Sequence, residues 1–395
     1  MQVYADNAAT AKIRPAALET FVKTATEYYG NPSSLHEVGQ AAKEVLEESR
    51  AKIANALGCK PREIIFTAGG SEADNQAIFS AARAGALKGK KKIISTAIEH
   101  HAVLHALNKL KAEGFEIVLV PVAQNGIVSV KDFEREIDDN TCLVSVMLAN
   151  NEIGTIQPVK EIGAICKAKK IPFHTDAVQA VGHIPVNTED LGVDYLALSA
   201  HKFGGPRGIG ALFARQGAPL FPLVEGGAQE RGKRAGTENL PAIAAMATAL
   251  EESTSHLEEN NKKVTALREK LIKGLSKIPH SSLNGDPKKR LAGNVSFCFE
   301  GIEGEGLLLY LSDMGVSASS GSACTSGSLD PSHVLLAIGR VHDVAHGSLR
   351  LSLNEENTEE EVDYLIKAVT EVVEKIRAFS PVWRDLQSGK RNYIL

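Results

Sequence analysis

Four stretches of this chain place reactive residue types where a sheet-based site would need them. In LSAHKFGGPRGIG (198–210), Lys202 directly follows an apolar run and precedes a glycine-rich turn. Burial at such a strand end lowers an amine's pKa and favours the free form, a nucleophile for carbonyl carbon. The plainer reading is a solvated loop lysine. In HTDAVQA (174–180), Asp176 closes a second apolar run, with Gln179 three residues on. A carboxylate there could ligate a metal, act as a base or partner a protonated ring nitrogen; alternatively it is a turn or cap residue. In FTAGGSEADN (66–75), a strand pattern runs into Gly69, Gly70 and Ser71 and then a helix pattern. Free backbone N–H groups and the helix dipole attract an anion there, provided Glu72 and Asp74 point away. The alternative is a βα turn with Ser71 as N-cap. The fourth stretch, SASSGSACTSGSLD (317–330), carries Cys324 among side chains too small to pack a thiol.

Together, a phosphate cradle, an aspartate and a lysine at strand ends of one sheet are the parts that hold pyridoxal phosphate (PLP). The lysine bonds the aldehyde, and the aspartate keeps the pyridinium nitrogen protonated so that the ring acts as an electron sink. His100, after the run KIIST, is placed to lie against the ring or move protons. A metal is not expected. His101 and His105 stand four apart, as do His342 and His346, but no third ligand lies nearby in the sequence.

These residues need a frame. Apolar runs at 63–67, 92–96, 116–122, 142–149, 172–177, 195–200 and 210–215 alternate with helix-length stretches such as 72–84, 100–112 and 159–170. The alternation predicts an α/β domain with a mostly parallel seven-stranded sheet, whose sites form beyond the carboxyl ends of the strands. Before it, Val38, Ala41, Val45, Ser49, Ile53 and Ala56 mark an amphipathic helix over 37–57 that Gly58 stops. A long helical region covers about 241–276. Strands near 294–299 and 348–353, with helices near 304–314, 332–339 and 357–378, predict a smaller C-terminal α/β domain. The expected division is 13–255 for the large domain, and 1–12 with 256–395 for the small one.

Composition sets outer limits. The 395 residues suffice for two domains, and 43% apolar with 23% charged residues is ordinary for a globular chain. A formal net charge of −4 lacks the basic face of a non-specific nucleic-acid binder. No apolar run reaches membrane-span length, and MQVYADNAAT reads as neither signal nor transit peptide, so the expected compartment is the cytoplasm. The five cysteines are widely spaced without a C-x-x-C, which suggests neither a disulfide framework nor a zinc site. Four fall in or beside apolar or helical patterns; Cys324 does not.

DNAAT (6–10), GNPSS (30–34), FTAGGSEADN, EHHAV (99–103), NNEIG (150–154), HTDAVQ, SAHKFGGPRGIG, RAGTEN (234–239) and SSGSACTS (319–326) occur in the order found in cysteine desulfurases of the NifS/IscS type, which the chain resembles nearly end to end. The resemblance implies a fold-type I PLP-dependent transferase working as a homodimer on L-cysteine. It implies that Lys202 bonds PLP, that Asp176 faces the ring nitrogen and that His100 stacks on the ring. Gln179 and Asn151 would contact the ring oxygen, and Gly70, Ser71, Ser199 and His201 the phosphate. Thr237 would reach the phosphate of the other subunit, and Arg350 with Asn151 would bind the substrate carboxylate. Cys324 would take the sulfur as a persulfide, releasing alanine, and a long loop of small residues would let it travel. His100 would be the group that deprotonates it. The sulfur would pass to acceptor proteins such as an iron–sulfur scaffold or a tRNA-thiolation relay, with Cys324 a transient cluster ligand shared with a scaffold and no intrinsic metal. Other PLP chemistry, such as selenocysteine lyase or aminotransferase activity, needs no mobile thiol. A non-catalytic scaffold would have no reason to keep Lys202, Asp176 and Cys324. Ser71, Gly70, Ala11 and His101 depart from common family residues; the first two still leave a hydroxyl and a small residue at the phosphate.

Overall fold

The seven apolar runs between residues 63 and 215 form one sheet in the computed structural model, which describes residues 1–320 and 331–395. Following β1 (Val3–Tyr4), its strands are β2 (Ile64–Thr67), β3 (Lys92–Thr96), β4 (Glu116–Val120), β5 (Thr141–Ser145), β6 (Phe173–Asp176), β7 (Tyr195–Ser199) and β8 (Gly210–Ala214), in the order β2-β8-β7-β6-β5-β3-β4. Every pairing is parallel except the two made by β8. Helices cover both faces, which is why most strands read as continuous apolar runs rather than alternating ones. One core holds Ile64, Phe66, Val144, Leu196 and Leu198, and another, on the opposite side, Ile65, Leu143, Tyr195, Ala197 and Leu212. The parallel strands all end at one edge, and the loops there carry most of the candidate residues.

A separate apolar core forms around a three-stranded antiparallel sheet, β12-β10-β9, from β9 (Ser281–Leu283), β10 (Asn294–Phe299) and β12 (Ser348–Ser352). The helices Leu257–Leu275, Gly304–Asp313 and Glu359–Phe379 pack on it. Val3 and Ala5 belong to this core, and β1 pairs in parallel with β11 (Val316–Ser317). The chain therefore starts in the smaller core and crosses at residues 6–10 to the edge of the large sheet.

Two details differ from the sequence reading. The long helical region is two helices, Leu240–Ser255 and Leu257–Leu275, which meet at His256. In the helix Glu37–Leu57 the buried face is Ala42, Leu46, Ser49, Arg50, Ile53, Ala54 and Leu57, whereas Val38 is exposed. The face turns because Arg50 is buried against Glu230, with Nη1 and Nη2 each donating to a carboxylate oxygen at 2.8 Å. Breaking such a pair by removing one partner costs about 3–5 kcal/mol. Gly58 ends the helix in the left-handed conformation (φ 67°), as expected.

Candidate active site

One cavity of about 270 Å³ gathers Gly70, Ser71, His100, Asn151, Asp176, Gln179, Ser199, His201, Lys202 and Arg350. These are all the candidate residues except Thr237 and Cys324. Most come from the carboxyl ends of β2, β3, β5, β6 and β7; Arg350 comes from β12.

The cradle is built by exclusion. The helix Gly70–Ala86 has Gly69 as N-cap, so Ser71 lies inside its first turn rather than capping it. The first N–H groups of a helix have no intrahelical acceptor and remain for an anion. A Cβ on Gly70 would stand 2.5 Å from Val178 Cγ2, and one on Gly210 would stand 2.8 Å from Gly69 Cα. The turn is thus packed close at Gly70 and Gly210, where a Cβ would force Val178 or the Gly69 backbone to shift. Glu72 turns away: Oε1 accepts from Arg234 Nε at 2.9 Å, and Oε2 accepts from Ala68 N at 2.8 Å. Asp74 does not turn away. It lines the cavity, with Oδ1 3.3 Å from His174 Nε2.

Lys202 sits in the short turn Ala200–Lys202 that follows β7. Its Nζ donates to the carbonyls of Ala8 at 2.7 Å and Ala9 at 2.9 Å. Gln179 Nε2 donates to the same Ala8 carbonyl at 2.9 Å, and His201 Nδ1 pairs with Thr10 Oγ1 at 3.2 Å. The DNAAT segment is therefore a strap: its main chain fixes Lys202 and Gln179, and its Thr10 hydroxyl meets His201. Residue type carries no signal for carbonyls used in this way, and the sequence reading missed them.

Asp176 is 5% exposed and accepts from Val178 N at 2.9 Å. Burial pushes its carboxyl up, and the nearby charges of His100 and Lys202 pull it back. His100 caps the helix His101–Ala112, its Nδ1 accepting from Ala102 N at 3.1 Å. Burial above all pulls its pKa down. A neutral ring that accepts at Nδ1 carries its proton on Nε2. Such a ring has only Nε2–H to donate, and must surrender the cap bond at Nδ1 before it can take a proton. This favours the role against a ring over that of base for Cys324.

Two buried carboxyls adjoin the site besides Asp176: Glu99, which the sequence reading did not single out, and Asp74. Glu99 accepts from Thr96 Oγ1 at 2.7 Å and Met147 N at 3.0 Å, and burial raises its pKa to about 8. Burial, with Asp176 and Glu99 nearby, pushes Asp74 well above the usual carboxylate range. The NNEIG turn is tied by Asn150, whose Oδ1 accepts from Glu152 N and Ile153 N at 2.9 Å each, leaving Asn151 at the cavity.

Thr237 lies elsewhere. It is exposed and lines a second cavity of about 150 Å³ with Phe66 and Arg234. Glu230 and Arg231, both left-handed (φ 47° and 59°), turn the chain shortly before it. Cys324 falls outside the described residues. The described residues on either side of that segment meet the site. Ser319 and Arg350 exchange backbone hydrogen bonds at 3.2 and 2.6 Å, and Ser332 Oγ donates to Glu152 Oε2. His333 stands near the expected histidine pair, its ring centroid 4.8 Å from that of His101, while His101 and His105 are 5.0 Å apart. Among the described residues no group of three such side chains is arranged to hold a metal ion.

A family model described as aminotransferase class-V matches residues 3–365. A protein of Methanosarcina thermophila named cysteine desulfurase IscS is 52% identical over 380 residues, covering 96% of this chain and 94% of its own. A protein of the same name from Clostridium botulinum is 50% identical over 392 residues, 98% of each chain. A solved structure titled NIFS-like protein superposes with a TM-score of 0.90 at 40% identity, covering 95% of this chain and all of that one.

Proposed function

Since the chain belongs to the class-V aminotransferase family and acts as a cysteine desulfurase, we propose that the 270 Å³ cavity binds PLP and L-cysteine and that Cys324 receives the sulfur. The donor set fits the cofactor. An amine, a buried carboxylate and a helix N-terminus whose Gly70 is packed against Val178 line one cavity at the ends of β7, β6 and β2. Bound there, PLP would supply an electron sink for the substrate's Cα. Lys202 Nζ would be its covalent anchor, Asp176 would face the ring nitrogen and His100 the ring. Gln179 and Asn151 would lie at the ring oxygen, and Gly70, Ser71, Ser199 and His201 at the phosphate. Cys324 Sγ, as thiolate, would attack the substrate sulfur. The new S–S bond replaces the C–S bond, leaving a persulfide on Cys324 and, once the carbon is protonated, alanine.

The meeting of ten expected residues in one cavity carries this reading. Its test is incubation with L-cysteine and a dithiol, expected to yield sulfide and alanine in equal amounts; neither product, or sulfide with pyruvate in place of alanine, would overturn the reading. Acceptors would be sulfur-carrying proteins, an iron–sulfur scaffold or a thiolation relay, with Cys324 a transient cluster ligand on a scaffold. No described helix is long and apolar enough to cross a membrane. The four described cysteines are free thiols, which fits the reducing cytoplasm.

Arg350 would pair with the substrate carboxylate. Arg350→Lys keeps the charge and loses the planar fork. The expected loss is roughly 1.5–3 kcal/mol of charge-assisted bonding, on the order of ten- to a hundredfold in kcat/KM. Visible absorbance of the bound cofactor should stay as in wild type. Steady-state kinetics with cysteine check this, and a wild-type kcat/KM would take Arg350 out of the site.

The proposed assembly is a homodimer in which Thr237 completes the neighbour's phosphate site. Two observations support it: Thr237 lies away from its own chain's cavity, and exposed apolar residues crowd one stretch, Leu18, Val22, Tyr29, Leu35 and Val38. Mixing Lys202→Ala subunits with Thr237→Ala subunits should restore activity, because the mixed dimer has one site with its own Lys202 and a wild-type Thr237. A mixture no more active than its parents would place Thr237 in cis or outside the site.

A further inference from the structure

Arg350 is 3% exposed, and a guanidinium so deep must be hydrogen-bonded and balanced in charge. Its Nη2 donates to Asp6 Oδ1 at 2.9 Å and its Nη1 to the carbonyl of Asn151 at 3.2 Å. Its Nε is buried without a partner. Of five N–H donors in the fork, one is thus visibly unanswered in a group that lines the site cavity. The ion pair reaches 344 residues along the chain, from the small sheet to the strap. The carbonyl of Asp6 is tied down independently, accepting from Ala9 N at 3.0 Å. Its carboxylate is therefore held at a fixed place beside Arg350. Glu152 is another carboxyl near the guanidinium, and burial raises it to about 7; among the described residues the carboxylate hydrogen-bonded to the fork is that of Asp6.

We propose that Asp6 is the resident counter-ion of the carboxylate-binding arginine: it orients the Arg350 fork and shares it with the amino-acid carboxylate. Asp6 is a positioning residue in this role and touches no reacting atom. The inference rests on the reading that Arg350 binds the substrate carboxylate. Two consequences follow from charge. A guanidinium already paired attracts a further carboxylate less than a bare one, so Asp6 keeps binding of cysteine and alanine weak enough for release. A fork held on one edge also presents its unpaired Nε–H in one orientation.

The experiment uses the holoenzyme and two probes, L-alanine and propionate, both carboxylates without sulfur. In Asp6→Asn the shape is kept and the charge removed. Both probes should inhibit at roughly tenfold lower concentration, which corresponds to about 1.4 kcal/mol. KM for cysteine should fall, while kcat falls rather than rises. Asp6→Glu should bring the inhibition constants back to within about twofold of wild type. Visible absorbance should be unchanged in both, since Lys202 is held by the Ala8 and Ala9 carbonyls and not by the Asp6 side chain. Unchanged inhibition constants and KM in Asp6→Asn overturn the proposal. If Asp6→Asn does not fold, Asp6→Glu decides: wild-type constants sustain the counter-ion role, and tenfold tighter inhibition overturns it. Arg350→Gln separates the two readings. Lost propionate inhibition there, with an indifferent Asp6→Asn, defeats only the role of Asp6. Propionate inhibition unchanged in Arg350→Gln defeats the carboxylate placement itself, and the Asp6 role with it.

Discussion

Lys202→Ala should lose both the visible absorbance of the bound cofactor and all measurable desulfuration, a fall in kcat of at least about 10⁴-fold. Among the described residues Lys202 is the only lysine lining the cavity, so no second amine there can replace it in bonding an aldehyde. Its setting is also specific. Nζ lies 2.7 and 2.9 Å from two main-chain carbonyls of the strap, and the turn that carries it follows directly from β7. Lys202→Arg, which keeps a cation and donors for those carbonyls, should be equally inactive, because a guanidinium is not a nucleophile at neutral pH. This second variant separates chemistry from structure. Removing the amine leaves the Ala9 carbonyl without that donor, whereas Ala8 keeps the bond from Gln179. A buried acceptor without a partner costs about 1–3 kcal/mol, a shift in the thermal midpoint but not unfolding. Sulfide release comparable to wild type in a folded Lys202→Ala protein would withdraw the lysine from the chemistry.

The strand ends were legible in the sequence because the sheet is covered on both faces. Buried strands leave uninterrupted apolar runs, and the polar residues after them stand out, as Asp176 and Lys202 do. What the sequence did not show depended on partners far along the chain or on main-chain atoms. Asp6 reads as part of a short polar motif until β12 brings Arg350 to it. The Ala8 and Ala9 carbonyls are invisible in residue type. Arg50, on a helix whose apolar spacing suggested another face, is buried only because Glu230 meets it. Asp74, which the phosphate reading required to point away from the cradle, instead lines the cavity beside His174, where burial favours its neutral acid and so weakens the charge that would repel a phosphate. The short strands β1, β9 and β11 are too brief to leave a periodic signal.

Cys324→Ala should keep the visible absorbance of the holoenzyme yet form sulfide from cysteine at least about a hundredfold more slowly. Sulfur attack needs a thiolate, and the described thiols are poorly suited to be one. Burial raises Cys59 and Cys166 to about 12 and Cys142 to about 11, and it raises Cys298 as well. At pH 7 a thiol of pKa 11 is ionised to about one part in 10⁴. None of the four lines the candidate cavity, and three are fully buried in the packed cores. Cys324 is the remaining thiol, in a segment whose described neighbours on both sides bond to Arg350 and Glu152 at the site. The chemistry also orders the defects. In the proposed chemistry the thiol acts on a substrate that is already bound, so its loss should leave cofactor and cysteine binding intact and stop only the transfer. Cysteine added to Cys324→Ala should then perturb the visible spectrum as in wild type without releasing alanine. Cys59→Ala, the least buried of the four, serves as the control and should desulfurate at the wild-type rate. Wild-type sulfide production by Cys324→Ala, measured with cysteine rather than with selenocysteine, whose weaker carbon–selenium bond can part without a thiol, would assign the sulfur to another acceptor.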